Sequence, residues 1–189
     1  IPQIVLDIKF EHWEKIVAKR AKAIANGGLV QEEDDFVPAT VRYSDGTTNS
    51  TAKTKLRLKG DQLDHLLGEK WSFRVKTRNK DHVWGMRRFS LQKAETRDFQ
   101  LTPMMLALTE SLGIVSPRYF FANLVINGKK IGIMAVEEHP AKELLEASGR
   151  KESVIIRFSE KYYWYALSKN IAETDDFKPF KDYRFAPID

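Results

Sequence analysis

The sequence contains no cysteine, which excludes disulfide bonds, thiolate metal sites and a cysteine nucleophile. No apolar run approaches the roughly 20 residues that a membrane-spanning helix needs. We therefore expect no membrane segment in this chain. No signal peptide opens the sequence, and its first residue is Ile1 rather than Met. We interpret it as a fragment processed or cut from a longer protein.

The motifs of several large enzyme classes are also missing. The chain has no GxxxxGK[ST], GxGxxG, HExxH or GxSxG sequence. Its four histidines show no metal-ligand spacing, and we interpret each as a surface or capping residue: His12, His65, His82 and His139. Residues 175–177, Asp-Asp-Phe, superficially resemble the metal-binding loop of protein kinases, but no HRD-like loop precedes them. We predict no metal site and no catalytic residue in this chain.

The composition is that of a folded domain with a basic surface. Of its 189 residues, 42% are hydrophobic, which is enough for one domain with a substantial core. The net charge of +5 favours anionic ligands, although the excess is modest and spread along the chain. Nucleic acid is an unlikely partner, because basic and aromatic residues do not interleave in a recognised pattern.

The clearest local signal is a β-hairpin. Two apolar runs, residues 119–126 and 131–136, flank Asn127-Gly128, a pair that suits a tight hairpin turn. Both runs are nearly continuous in large apolar residues, which is typical of central strands covered on both faces. The second run ends on Glu137 and Glu138. This acidic strand end is either a site of chemistry or the solvated exit of a core hairpin.

Alternation and helical spacing predict the remaining elements. Strands are expected within residues 1–9, 36–43, 51–59, 70–78, 83–91 and 153–158, and helices over 11–25, 101–112, 141–147 and 160–172. Met104, Met105, Leu108 and Leu112 form an apolar face that we assign to the core. We predict one α+β domain over residues 1–172, with a mainly antiparallel sheet and flanking helices. Residues 173–189 are interpreted as a poorly ordered connection to a missing C-terminal part.

Four cationic residues lie on the polar faces of predicted strands. Arg57 and Lys59 share one strand face, and Arg74 and Lys76 share another. Such residues can hold phosphate groups, the arginines through two parallel hydrogen bonds. Glu137 could pair with one of these bases. The alternative is that all of them face solvent and bind nothing.

Several segments, taken in order, carry a family resemblance. They are FVPATVRYSDGT at 36–47, LRLKGD at 56–61, KWSFRVK at 70–76 and VINGKKIGIMAVEEH at 125–139. With residues 97–113, this series resembles the CotH-type (spore-coat protein H-like) family of atypical kinases over roughly residues 4–158. The sequence departs from the family at 60–63, where Gly-Asp-Gln-Leu replaces Gly-Asn-Ser-Ser. The family's downstream catalytic and metal-binding aspartate motifs have no counterpart before Asp189.

The resemblance implies the N-terminal part of a bacterial kinase with a sheet like an atypical kinase N-lobe. The parent would use ATP and Mg²⁺ to phosphorylate Ser or Thr of a secreted, coat or surface protein outside the cytoplasm, and this fragment alone would be inactive. The implied nucleotide-binding residues are Arg57, Lys59, Arg74, Lys76, Glu137 and Glu138. The alternative function is a non-catalytic binding or structural module of a bacterial surface or coat protein.

Overall fold

The centre of the molecule is a closed barrel of seven β-strands. The computed structural model describes residues 1–60, 62–157 and 186–187. The barrel strands are β1 (Gln3–Asp7), β2 (Val37–Ser44), β3 (Asn49–Leu58), β4 (Phe73–Thr77), β5 (Arg88–Gln92), β6 (Tyr119–Ile126) and β7 (Lys129–Glu138). They follow one another around the barrel in the order β1-β2-β3-β4-β5-β7-β6. Neighbouring strands are antiparallel except β1 and β6, whose parallel pairing closes the barrel.

This closure shows that the predicted fold class is wrong. An α+β domain with an antiparallel sheet, flanking helices and a likeness to a kinase N-lobe was expected, whereas the structure is a mixed barrel with few helices. The closing contact pairs Gln3 with Asn123 and Leu6 with Ile126. Alternation within a strand indicates which face is buried, but it carries no information about which distant edges meet. Closure leaves the barrel without the exposed edges of an open sheet.

The barrel interior is filled by alternate residues of its strands. Leu56 and Leu58 of β3, Phe73 and Val75 of β4, and Val136 of β7 are all at most 3% exposed. Because successive side chains of a strand point to opposite faces, the residues between these lie on the outer surface. That outer surface carries the cationic residues singled out in the sequence.

The predicted β6–β7 hairpin is confirmed. Asn127 and Gly128 both have positive φ values, 48° and 82°, as a type I′ turn requires. The Asn127 side chain also accepts a hydrogen bond from the Ile8 backbone amide (2.7 Å). The backbone amide of Asn127 donates to the Leu6 carbonyl (2.9 Å). The turn therefore fastens β1 to β6 at the closure. The expectation that the hairpin is covered on both faces is wrong, since Ile133 is 44% exposed.

In the part of the chain that the structure describes, three α-helices accompany the barrel: α1 (Phe10–Ala25), α2 (Leu101–Ser111) and α3 (Lys142–Ala147). The first packs on the barrel through Ile16 and Ala23, which are buried, and through a parallel stack of Trp13 on Trp71 with ring centres 5.2 Å apart. The second helix departs from prediction, because the face assigned to the core is more than half exposed: Met104, Met105, Leu108 and Leu112. The strands fill the interior with their own side chains.

The end of the chain also differs from prediction. The buried strand expected at 153–158 is reduced to β8 (Ile156–Arg157), which pairs with β9 (Ala186–Pro187) in a separate two-stranded sheet. Val154 and Ile156 are 76% and 69% exposed. The helix predicted over 160–172 and, apart from β9, the connection over 173–189 lie outside the described residues. None of the helices among the described residues combines the length and apolarity needed to cross a bilayer.

Candidate functional site

The candidate site lies on the outer face of β3, β4, β5 and β7. One cross-strand row runs from Arg57 through Arg74 and Ser90 to Glu137. Lys59 directly follows β3, and its amide donates to the Ser72 carbonyl at 2.8 Å, which continues the pairing by one step. Three of these strands, β3, β4 and β5, are consecutive in the chain, whereas β7 follows α2 and β6, so the barrel topology brings β7 to this face.

Lys59, Gln92 and Glu137 form a closed hydrogen-bonded cluster. The Lys59 ammonium lies 3.3 Å from Glu137 Oε2, and Gln92 Nε2 donates to the same oxygen at 2.9 Å. Lys59 also donates to Gln92 Oε1. The lysine and glutamate side chains are only 11% and 24% exposed. The cluster therefore holds a largely desolvated ion pair whose polar atoms face one another.

The surroundings shift the pKa of both charged groups. Burial lowers the pKa of Lys59 to about 8; the Glu137 carboxylate opposes this shift, and the positive charges of Arg74 and Arg97 add to it. Burial alone would raise the pKa of Glu137, but the charges of Lys59, Arg97 and Arg74 outweigh it and hold this pKa below its usual value. At neutral pH the pair is therefore mainly ammonium and carboxylate.

His65, the last residue of the 3₁₀ turn Leu63–His65, lies beside the cluster. Its Nδ1 lies 2.9 Å from Ser72 Oγ, which also accepts a hydrogen bond from the Lys93 amide at 3.2 Å. Burial, together with the charge of Lys59, lowers the pKa of His65 to about 4, so the imidazole is neutral at neutral pH. A Cβ on Gly60 would lie 2.4 Å from three carbons of His65, so the chain after Lys59 needs glycine here.

The other predicted residues have different partners. Arg57 bonds to Gln31, Arg74 Nη1 lies 2.8 Å from His139 Nδ1, and Lys76 donates to Glu33 at 3.0 Å. Glu138 faces the barrel interior, where it accepts from Arg118 Nε at 2.9 Å and from Nη2 at 2.5 Å. Of the six predicted site residues, Lys59 and Glu137 form an ion pair with each other.

The sequence reasoning missed Gln92, His65 and Arg97. Gln92 is the last residue of the alternating stretch of β5. Its position predicts a polar side chain that faces outward, but it does not indicate which residues that side chain contacts. His65 was interpreted as a surface or capping residue, yet its ring contacts Gly60 and Ser72. No local signal marks Arg97, whose effect on the cluster depends on where the 3₁₀ turn Ala94–Arg97 lies in the fold.

Within the described part of the chain, this face offers groups that suit a phosphate but no set of carboxylates that suits a metal ion. Ser90, which is fully buried between Arg74 and Glu137, has a hydroxyl without a hydrogen-bond partner among the described residues. It adds a donor to the nearby cations. Glu137 forms an ion pair with Lys59, and Glu138 forms one with Arg118. The one acidic group compact enough to hold an ion in the described chain is the surface cluster Glu32, Asp34 and Asp35.

A family comparison covers this same face. The model of the family described as "CotH kinase protein" matches residues 56–184, more than half of the chain. The matched region begins at β3 beside Arg57 and includes β4, β5 and the β6–β7 hairpin, so all three members of the Lys59 cluster fall within it. No curated protein matches the chain. Because this match covers more than half of the chain, the chain belongs to the CotH kinase protein family.

Proposed function

We propose that this chain is the nucleotide-binding portion of a CotH-like protein kinase. In this proposal the parent protein transfers the γ-phosphate of Mg·ATP to Ser or Thr of a secreted, coat or surface protein outside the bacterial cytoplasm. Family membership supports the reaction class. The observation that carries the proposal is the buried Lys59–Glu137 ion pair.

The ion pair has the chemistry that phosphoryl transfer requires. Protein kinases depend on a lysine that contacts the nucleotide phosphates and is oriented by a glutamate. Catalysis of this reaction rests almost entirely on positioning and on stabilising charge. Glu137 and Gln92 fix the Lys59 ammonium in one place, and Arg74 lies on the neighbouring strand in the next row. We assign phosphate contact to Lys59 and Arg74, and orientation of the lysine to Glu137.

The low pKa of Lys59 makes this assignment measurable. A phosphate anion beside the ammonium favours its charged form and so raises the pKa from about 8. Binding of ATP near pH 8 to 9 should therefore be accompanied by proton uptake. Calorimetric titrations in buffers of different ionisation enthalpy detect such uptake directly.

The test is titration of Mg·ATP into this chain and three variants. We expect Lys59→Met and Glu137→Gln to weaken binding at least tenfold, and Lys59→Met also to abolish proton uptake. Lys53→Met is the matched control, because Lys53 is an exposed lysine of the same strand outside the cluster. Equal affinity in Lys59→Met and in the wild type would overturn the assignment. The described residues place no aspartate beside Lys59, so binding is the property to measure first.

Absence of ATP binding would favour the alternative function. A non-catalytic module of a surface or coat protein needs neither the nucleotide nor the lysine. Lys59→Met and Glu137→Gln would then change the stability of the chain and leave its binding to other partners unchanged.

A further inference from the structure

A second basic feature lies beside the Lys59 cluster. A cleft of about 600 Å³ opens along the outer surface between the barrel and α3. Its basic lining residues come from three neighbouring strands, the residue before β5, and α3: Lys55, Lys76, Arg87, Arg88 and Lys142. Two acidic residues also line it: Glu152, and Glu143, whose Oε1 lies 4.0 Å from Arg87 Nε. The excess of basic side chains indicates an anionic ligand.

Three of these cations form a row across adjacent strands. Lys55 pairs with Lys76, and Lys76 pairs with Arg88, so like charges stand directly opposite one another on three adjacent strands. Cross-strand pairs of like charge destabilise a sheet. Because neighbouring strands are about 4.8 Å apart, the row spans about 10 Å. That is longer than one carboxylate or phosphate group, and it suits a ligand with several negative charges in sequence.

The molecule itself shows a carboxylate bound to this row. Glu33, in the 3₁₀ turn Glu33–Asp35, accepts hydrogen bonds from Lys76 Nζ at 3.0 and 3.3 Å while its side chain is 79% exposed. The hydrogen bond from Lys76, aided by the charges of Lys76, Lys55 and Arg57, lowers the pKa of Glu33. The adjacent Phe36 ring lies beneath Lys76, whose ammonium is 4.3 Å from the ring centre.

We propose that this cleft binds an acidic segment of polypeptide, and that Glu33 competes with that segment for Lys76. Successive side-chain carboxylates of an extended acidic peptide reach the cations of the row, and the peptide continues toward Arg87 and Lys142. That this segment belongs to the kinase's protein substrate rests on the proposed function. Binding of an acidic segment in the cleft is independent of the proposed function.

The test is fluorescence anisotropy with a labelled oligoglutamate peptide, using oligoglutamine and oligolysine peptides of equal length as probe controls. Arg87→Gln should weaken binding about threefold to tenfold through loss of one ionic contact. Glu33→Gln should strengthen it about twofold to fivefold, because it removes the competing carboxylate. Lys130→Gln makes the same charge change near the start of β7, at a residue that does not line the cleft, and should have no effect. Binding should fall steeply as salt rises from about 50 to 500 mM.

Several outcomes would overturn the proposal. Equal losses in Arg87→Gln and Lys130→Gln would indicate attraction to net charge instead of binding in the cleft. Tighter binding of oligothymidylate of equal length would assign the surface to nucleic acid. Competition between Mg·ATP and the peptide would make the cleft part of the nucleotide site. Peptide binding that persists in a chain unable to bind ATP would support the cleft and refute only the kinase proposal.

Discussion

The Lys59–Glu137 pair makes a quantitative prediction about stability. The pKa of Lys59 falls from 10.5 to about 8 in the folded chain. At about 1.4 kcal/mol per pKa unit, folding disfavours the charged ammonium by about 3 kcal/mol even with Glu137 present. Glu137→Gln removes the counter-ion and leaves Lys59 beside Arg74 and Arg97, so the pKa of Lys59 should fall further. We expect this variant to lose about 1 to 2 kcal/mol of unfolding free energy at pH 7, because release of the proton limits the cost of the unpaired lysine.

The informative comparison adds Lys59→Met to Glu137→Gln. In that background the substitution removes a lysine that folding must strip of its proton or bury with its charge unpaired, so it should stabilise the protein by at least about 3 kcal/mol at pH 7. In the wild-type background Lys59→Met instead leaves the Glu137 carboxylate without its partner and should not stabilise. Above pH 8, Lys59 in the folded state is largely neutral, and the cost of Glu137→Gln should shrink.

Urea unfolding of the four proteins measures this coupling directly. The matched control is the same cycle on Lys129 and Glu69, an ion pair with an N–O distance of 2.6 Å whose side chains are 67% and 83% exposed. Because water and salt screen this pair, we expect no measurable coupling there. An effect of Lys59→Met that is the same in both backgrounds, within about 0.5 kcal/mol, would refute the reasoning about the buried pair.

Three further predictions concern the closure, the buried acid and the titration of the lysine. Asn127→Ala removes the acceptor of the Ile8 amide and should cost about 1 to 3 kcal/mol in urea unfolding; an unchanged midpoint would contradict its role in closure. Arg118→Gln leaves Glu138, which is 2% exposed, without its cation and should cost about 3 to 5 kcal/mol, with little rescue by Arg118→Lys because one ammonium cannot replace the bidentate contact. NMR titration of ¹³C-labelled lysines should give Lys59 a midpoint near pH 8. Between about pH 8 and 10.5 this group should increase stability with pH, since the unfolded chain still binds the proton that the folded chain has released; a midpoint near 10.4 would exclude the buried environment described here.

The sequence predicted the local parts of the fold and missed their assembly. The β6–β7 hairpin was identified because Asn127 and Gly128 tolerate positive φ and because apolar runs flank them. The β1–β6 pairing that closes the barrel joins residues about 120 positions apart, and no turn signal marks it. The exposed face of α2 has the same origin. A helix with an apolar face was read as a core element, but the strands fill the interior themselves.

The site was anticipated in part for similar reasons. Lys59 and Glu137 were both selected from the sequence, one as a cation at a strand end and the other as an acid at a hairpin exit. Their contact joins residues 78 positions apart. It depends on β5 lying between β4 and β7, an order that consecutive pairing along the chain does not give. Gln92 bridges the pair only because of that order.

The choice between Glu137 and Glu138 illustrates what alternation cannot decide. Adjacent strand residues face opposite sides, so a shift of one residue exchanges their roles completely. Elsewhere polar and apolar residues alternate and fix the inward face, but both Ala135 and Val136 are apolar and buried, so the stretch before the acids gives no such signal. The partners resolve the choice. Glu138 faces inward to Arg118, and Glu137 faces outward to Lys59. The end of β7 thus places Glu137 against Lys59 in the candidate site and the next residue, Glu138, against Arg118 inside the barrel.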